Sequence, residues 1–235
     1  TAICNGSTIS LSASGGATYL WSTTSTTSSI SVTPTTTTKY YVTVTSNGNC
    51  SSIDSVTVTV NPLPTAAIAG TNLICEGSST TLTASGGASY NWSNAVTTAA
   101  ITVNPSVSTT YTVTITDANG CTASTSQLVT VNPAPTVSLG TFADLCEGSS
   151  AIALSGGLPA GGTYSGVGVI GTQFDPSISG SGTFKIFYDY TDVIGCSSRD
   201  SSTITVNPLP NVTLTNDTAI CNGSTISLSA SGGAT

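Results

Sequence analysis

The chain has 235 residues, of which only 6% are charged; it carries three Lys or Arg, no His and a net charge of −7. That balance argues against nucleic acid and anionic lipid as partners, because both are bound through Lys and Arg. It also leaves no His–Ser or His–Cys pair for nucleophilic catalysis, and no stretch approaches the ~20 apolar residues of a membrane span.

Residues Thr1–Thr18, TAICNGSTISLSASGGAT, recur without change at Thr218–Thr235, so the sequence returns to its own beginning at Thr218. A return of this kind is the mark of a repeat protein and is expected of a stretch taken from a longer repetitive chain. Proline clusters at Asn61–Pro64, Asn132–Pro135 and Asn207–Pro210 each follow an alternating apolar run. Proline lacks the backbone donor and ends sheet pairing, so these clusters mark domain boundaries. The predicted units are 1–64, lacking first residues that a preceding repeat supplies, then 65–135, then 136–210 of a second type. Residues 211–235 begin the next domain.

Unit 65–135 displays the plan most clearly. A short strand is predicted at Thr65–Gly70, a turn at Cys75–Ser78 and strands at Thr80–Ser85, Ser89–Ser93 and Ala99–Val103. The strongest strand has Tyr111, Val113 and Ile115 inward between Thr residues; a tight turn at Asp117–Cys121 and a last strand to Val131 complete the unit. Six or seven short strands separated by Gly or Asn-Gly turns read as an antiparallel, immunoglobulin-like β-sandwich. The fold class is all-β, tandem small sandwiches arranged as an extended rod, and no segment has a helical period.

The copies register on their cysteines. Tyr40 precedes Cys50 by the same interval as Tyr111 precedes Cys121, and Trp21 follows Cys4 by the same interval as Trp92 follows Cys75. Trp21, Tyr40, Trp92 and Tyr111 are therefore predicted core anchors, with an exposed sugar-stacking platform (Tyr19, Trp21, Tyr90, Trp92) as the functional alternative. The third unit substitutes Tyr164 and a glycine-rich stretch.

Neighbouring cysteines are spaced 46, 46 and 50 apart in the pairs Cys4–Cys50, Cys75–Cys121 and Cys146–Cys196. This reads as one disulfide per unit, tying two loops at one pole of each sandwich, with the partner of Cys221 beyond the chain. Disulfides imply an oxidising, extracellular compartment; reduced buried thiols and zinc are the alternatives, the latter without a CxxC or His to support it.

The run from Trp92 to Cys121, with I-T-V-N-P-S and T-T-Y-T-V-T-I-T-D-A-N-G-C, resembles the Ig-like or PKD-like repeats of giant cell-surface proteins of gliding Bacteroidetes-type bacteria. Gly161–Val169, Phe174–Pro176 and Gly195-Cys196 are similar to a second repeat type of the same proteins. The resemblance implies a stalk segment of an adhesin exported through the type IX secretion system and serving surface adhesion or gliding motility. Its implied partners are adjoining repeats of the same chain and neighbouring copies in a filament. A carbohydrate-binding module and a multi-chain surface sheath are the rival readings.

Chemistry-bearing residues are few. The chain is read as non-enzymatic and without a cofactor. Asp175, Asp189, Asp192 and Asp200 of the third unit are candidate Ca²⁺ ligands, weighed against ordinary turn acids. Ser55 and Thr218 sit in Asp-Ser/Thr-aliphatic triplets and are candidates for O-glycosylation. Only Lys39 and Lys185 are available for a stiffening Lys–Asn isopeptide bond, and unit 65–135 has no lysine.

Overall fold

The computed structural model describes residues 1–214, 219–228 and 230–231. Residues Thr1–Asn132 form one compact unit and Pro133–Thr235 a second. Three separate apolar cores lie along the chain.

The first sandwich comprises β1 (Ala2–Cys4), β2 (Ile9–Ser12), β3 (Thr18–Trp21), β4 (Ser29–Val32), β5 (Thr38–Thr45) and β6 (Ser51–Asn61). Its larger sheet has the order β1-β6-β5-β3, and β2 pairs with β4 opposite. Alternation decides which side chains meet: Leu11, Trp21, Ile30, Val32, Tyr40, Val42 and Val58 form the core, while the intervening Thr and Ser face water.

The second sandwich comprises β7 (Ala67–Ala69), β8 (Leu73–Cys75), β9 (Thr80–Ser85), β10 (Ser89–Trp92), β11 (Ala100–Val103), β12 (Thr109–Thr116) and β13 (Thr122–Asn132). One sheet runs β11-β9-β7 and the other β10-β12-β13-β8. As expected, this is an immunoglobulin-like arrangement of short strands. Two details differ from the sequence reading. Leu73–Cys75 is a strand rather than the start of a turn, and it pairs parallel to β13, Cys75 opposite Asn132. The cause is Gly70, whose φ of +141° lets the edge strand leave one sheet and join the other. A side chain there would run into the Thr81 carbonyl.

The third sandwich is built from β14 (Ser138–Leu139), β15 (Leu145–Cys146), β16 (Ile152–Ala153), β17 (Gly157–Leu158), β18 (Thr163–Ser165), β19 (Val169–Ile170), β20 (Gln173–Phe174), β21 (Gly182–Thr191) and β22 (Ser197–Asn207). Its main sheet is β15-β22-β21-β18, repeating the order of the other two. It also holds one helical turn, α1 (Pro176–Ser179), where no helix was expected. Asp175 caps it by accepting from the Ser177 backbone N–H at 2.9 Å, and Pro176 occupies the first position, where it is preorganised for the helix. The glycine-rich stretch has a specific cause: Tyr188 takes the place that Val113 holds in the second sandwich, and Gly157 and Gly162 lie flat against its ring. The Tyr188 hydroxyl accepts from Gly162 N–H and donates to the Pro159 carbonyl, both at 2.7 Å.

Beyond β22, β23 (Thr213–Leu214) pairs antiparallel with β24 (Ala230–Ser231).

Candidate functional site

The three sandwiches present the same two cysteine positions. The first cysteine ends the short parallel strand: Cys4 lies opposite Asn61, Cys75 opposite Asn132 and Cys146 opposite Asn207. The residue after it donates to that same asparagine carbonyl, at 2.9 Å from Asn5 and 2.8 Å from both Glu76 and Glu147. The second cysteine closes the hairpin before the last strand, its carbonyl accepting from the residue four before it. That bond is 2.9 Å long in Ser46–Cys50, Asp117–Cys121 and Asp192–Cys196 alike.

These two positions lie at opposite poles. The strands between them, β6, β13 and β22, each run 11 residues, roughly 35 Å at ~3.3 Å per residue. A disulfide needs its Cα atoms within about 7 Å. The expected bridge within each unit is therefore ruled out by the strand that separates its ends. Instead, Cys4 of the first sandwich is bonded to Cys121 of the second, with Cα atoms 5.5 Å apart and a sequence separation of 117. Cys75 and Cys196 are each in a disulfide as well. Cys50 and Cys146, both expected in disulfides within their units, are free and exposed; Cys221 is also free and exposed. Exposure follows bonding: Cys121 and Cys196 are fully buried, while Cys50 at the equivalent place is open to solvent.

The first and second sandwiches are thus joined twice, through the linker after Asn61 and through the Cys4–Cys121 bridge. One sequence signal pointed toward this arrangement. The intervals Cys50 to Cys75, Cys121 to Cys146 and Cys196 to Cys221 are identical, whereas those within units vary. The constant interval belongs to the last strand, the linker and the next edge strands, which carry the chain from one pole to the next.

The aromatic candidates are turned inward. Trp21 and Trp92 are only 4% and 2% exposed. Their indole N–H groups donate to the Thr27 and Thr98 carbonyls at 2.9 and 3.0 Å. Tyr40 is buried and Tyr111 partly buried against the core. Tyr19 and Tyr90 are partly buried and donate to the Gly16 and Gly87 carbonyls. The two indoles offer no open face for a sugar.

The four aspartates considered for Ca²⁺ are dispersed and engaged separately. Asp175 caps α1, and Asp192 accepts from the backbone N–H of Ile194 and Cys196 at 2.9 Å. Asp189 forms a two-pronged ion pair with Arg199 at 2.6 and 2.9 Å, which raises the Arg199 pKa through the hydrogen bond and the charge of Asp189. Asp200 holds β14 to β22 by accepting from Leu139 N–H at 2.8 Å, and its own pKa is lowered by backbone hydrogen bonds from Ser201 and then Leu139. Among the described residues no three His, Cys, Asp or Glu side chains gather in a metal-holding group. Lys39 lies over the Tyr41 ring, and Lys185 and Arg199 lie over Phe187. Ser55 is exposed on β6, and Thr218 lies outside the described residues. No helix among the described residues is long and apolar enough to cross a membrane.

No protein-family model matches the chain, and no curated protein matches it significantly. Solved structures do align with it. One comes from work on host cell surface retention of a 1.5-MDa bacterial ice-binding adhesin, with 14% identity over 88% of this chain and 94% of that one, TM-score 0.40. Another is a Ca²⁺-stabilized adhesin that helps an Antarctic bacterium reach out and bind ice, with 17% identity over 91% of this chain and 74% of that one, TM-score 0.39. An I-band fragment of titin aligns at 12% identity over 88% of this chain and 95% of that one, TM-score 0.38.

Proposed function

We propose that the chain is a stalk segment of a long, repetitive extracellular adhesin filament, serving surface adhesion or gliding motility. The observation that carries this reading is the Cys4–Cys121 bridge between consecutive sandwiches. A bond that stiffens the junction between domains suits a load-bearing spacer. The return of the sequence to its start at Thr218 supports it, since a repeat that closes on itself can be extended indefinitely. Disulfides favour an oxidising compartment outside the cytosol. Thr and Ser on the outward faces keep a nearly uncharged fibre hydrated. The resemblance of Trp92–Cys121 to repeats of gliding-bacterium surface proteins supplies the adhesion and motility part of the reading, including export by type IX secretion.

Each sandwich is roughly 35 Å long, so three in line advance a fibre by about 100 Å. Small-angle scattering on the oxidised chain tests this: a rod about 100 Å long with the cross-section of one sandwich is the expected result. A compact globule, its longest dimension well short of three sandwiches in line, overturns it.

A further inference from the structure

The first and second sandwiches share one plan but differ at one edge. In the second, β7 pairs with β9, Ile68 opposite Ala84 and Ala67 opposite Ser85, and Ala66 and Ile68 pack on the core. In the first, β2 pairs with β4 alone among the described residues, which place no strand on its other edge. A groove of about 260 Å³ runs beside that edge, lined by Ala13, Trp21, Val42, Val44 and Val56 among others. The corresponding core positions show the deficit: Ala84 and Ile115 are 3% and 0% exposed, while Ala13 and Val44 are only partly covered. Cys50 stands unbonded at the same end of this sandwich, at the place where Cys121 is bridged in the next.

The chain itself contains a segment that fits. Thr213 pairs with Ser231 and Leu214 with Ala230. Ala230 and Ser231 are the copies of Ala13 and Ser14 in the recurring stretch. Leu214 therefore has the same register toward Ala230 as Ile68 has toward Ala84. The segment Asn211–Leu214 follows directly on the third sandwich, which also carries an unbonded cysteine, Cys146, at the position of Cys4.

We propose that the open end of the first sandwich is a docking surface for the third sandwich of an adjoining copy of this repeat. That copy's Asn211–Leu214 strand adds to β2 and fills the groove, and its Cys146 forms a disulfide with Cys50. The surface completes a sheet, as in other strand additions, and the bridge locks it. Chemically, the Sγ–H groups of Cys146 and Cys50 each lose a proton and together lose two electrons to a disulfide oxidant. The oxidant's S–S bond breaks to give two thiols as the new S–S bond forms. The inference rests on the stalk reading and specifies its junction.

The test uses two tandem copies of Thr1–Asp217 closed by Thr218–Thr235, refolded with glutathione disulfide as oxidant. In the monomeric species, half of the Cys50 and half of the Cys146 thiols should disappear, and a non-reducing digest should yield a Cys50–Cys146 peptide. In the single-copy chain both stay alkylatable. All thiols remaining free in the tandem chain, or a Cys4–Cys50 or Cys146–Cys196 peptide, overturns the bridge. Hydrogen exchange reads the strand independently. The Ser12 and Ser14 amides should split into equal slow and fast populations at least tenfold apart, and the slow one should vanish when Leu214→Asp is placed in the first copy. A single fast population overturns the strand addition. These readouts concern the junction alone, so their failure leaves a rod seen by scattering intact, and a compact shape by scattering leaves a mapped bridge intact.

Discussion

Cys4 and Cys50 lie at opposite ends of β6: Cys4 is in register with Asn61, the strand's last residue, and Cys50 directly precedes Ser51, its first. Two cysteines of one sandwich thereby serve two different junctions. A non-reducing digest of the oxidised chain should contain a Cys4–Cys121 peptide and none joining Cys4 to Cys50. Cys4→Ser should lower stability toward denaturant by up to about 4–5 kcal/mol on the chain-entropy account of so long a loop, with near-native circular dichroism before the transition.

Trp92 fills the centre of the second core and its indole N–H is satisfied by Thr98. Trp92→Ala should destabilise this sandwich by about 3–5 kcal/mol, read as a lowered urea midpoint. Because the ring is buried, acrylamide should quench the native tryptophan fluorescence weakly, and added polysaccharides should leave the emission unshifted.

Gly157 has no room for a methyl group beside the Tyr188 ring, whose atoms are the nearest ones to such a group. Gly157→Ala should cost roughly 1–3 kcal/mol through this overpacking. In a Tyr188→Val background, where the ring is replaced by the residue type found at position 113, the same substitution should cost distinctly less. A double-mutant cycle measures the coupling.

Asp200 has its pKa lowered below the ordinary 3.8 by hydrogen bonds from Ser201 and Leu139. The folded state therefore favours the carboxylate. Its contribution is in place above pH 3.8 and is lost as pH falls through the lower folded value. The Leu139 amide resonance should titrate with a midpoint below 3.8, and Asp200→Asn should abolish that titration.

Much of the fold was legible because the period-two pattern is nearly unbroken. Thr80–Ser85 matched β9 to the residue, and Tyr111, Val113 and Ile115 flagged the central strand β12. What escaped is instructive. Leu73-Ile74-Cys75 is too short to show alternation, and its parallel pairing to β13 depends on a distant strand. The turn at Pro176–Ser179 rests on one cap and one proline, far below a helical period. The spacing within a unit does not show at which pole each cysteine lies, so the two cysteines of each unit were paired although a strand of 11 residues holds them apart. The burial of the tryptophans, by contrast, could be read from their common interval after the first cysteine of each unit.

The Cys4–Cys121 bridge also decides how tension travels. Pulled from Thr1, the covalent route reaches Cys4, crosses the sulfurs and continues along β13 to Asn132. Residues 5–120 hang outside the load path, so the second sandwich can melt without lengthening the tether. The one segment of it that bears load is already an extended strand at ~3.3 Å per residue, close to the ~3.6 Å limit of a taut chain. With handles at Thr1 and Asn132, the oxidised chain should yield only a few ångströms on stretching. Cys4→Ser should release roughly 400 Å, the contour of the freed residues at about 3.5 Å each. Such a segment behaves as a strap whose length is set by covalent bonds, independent of whether its domains stay folded.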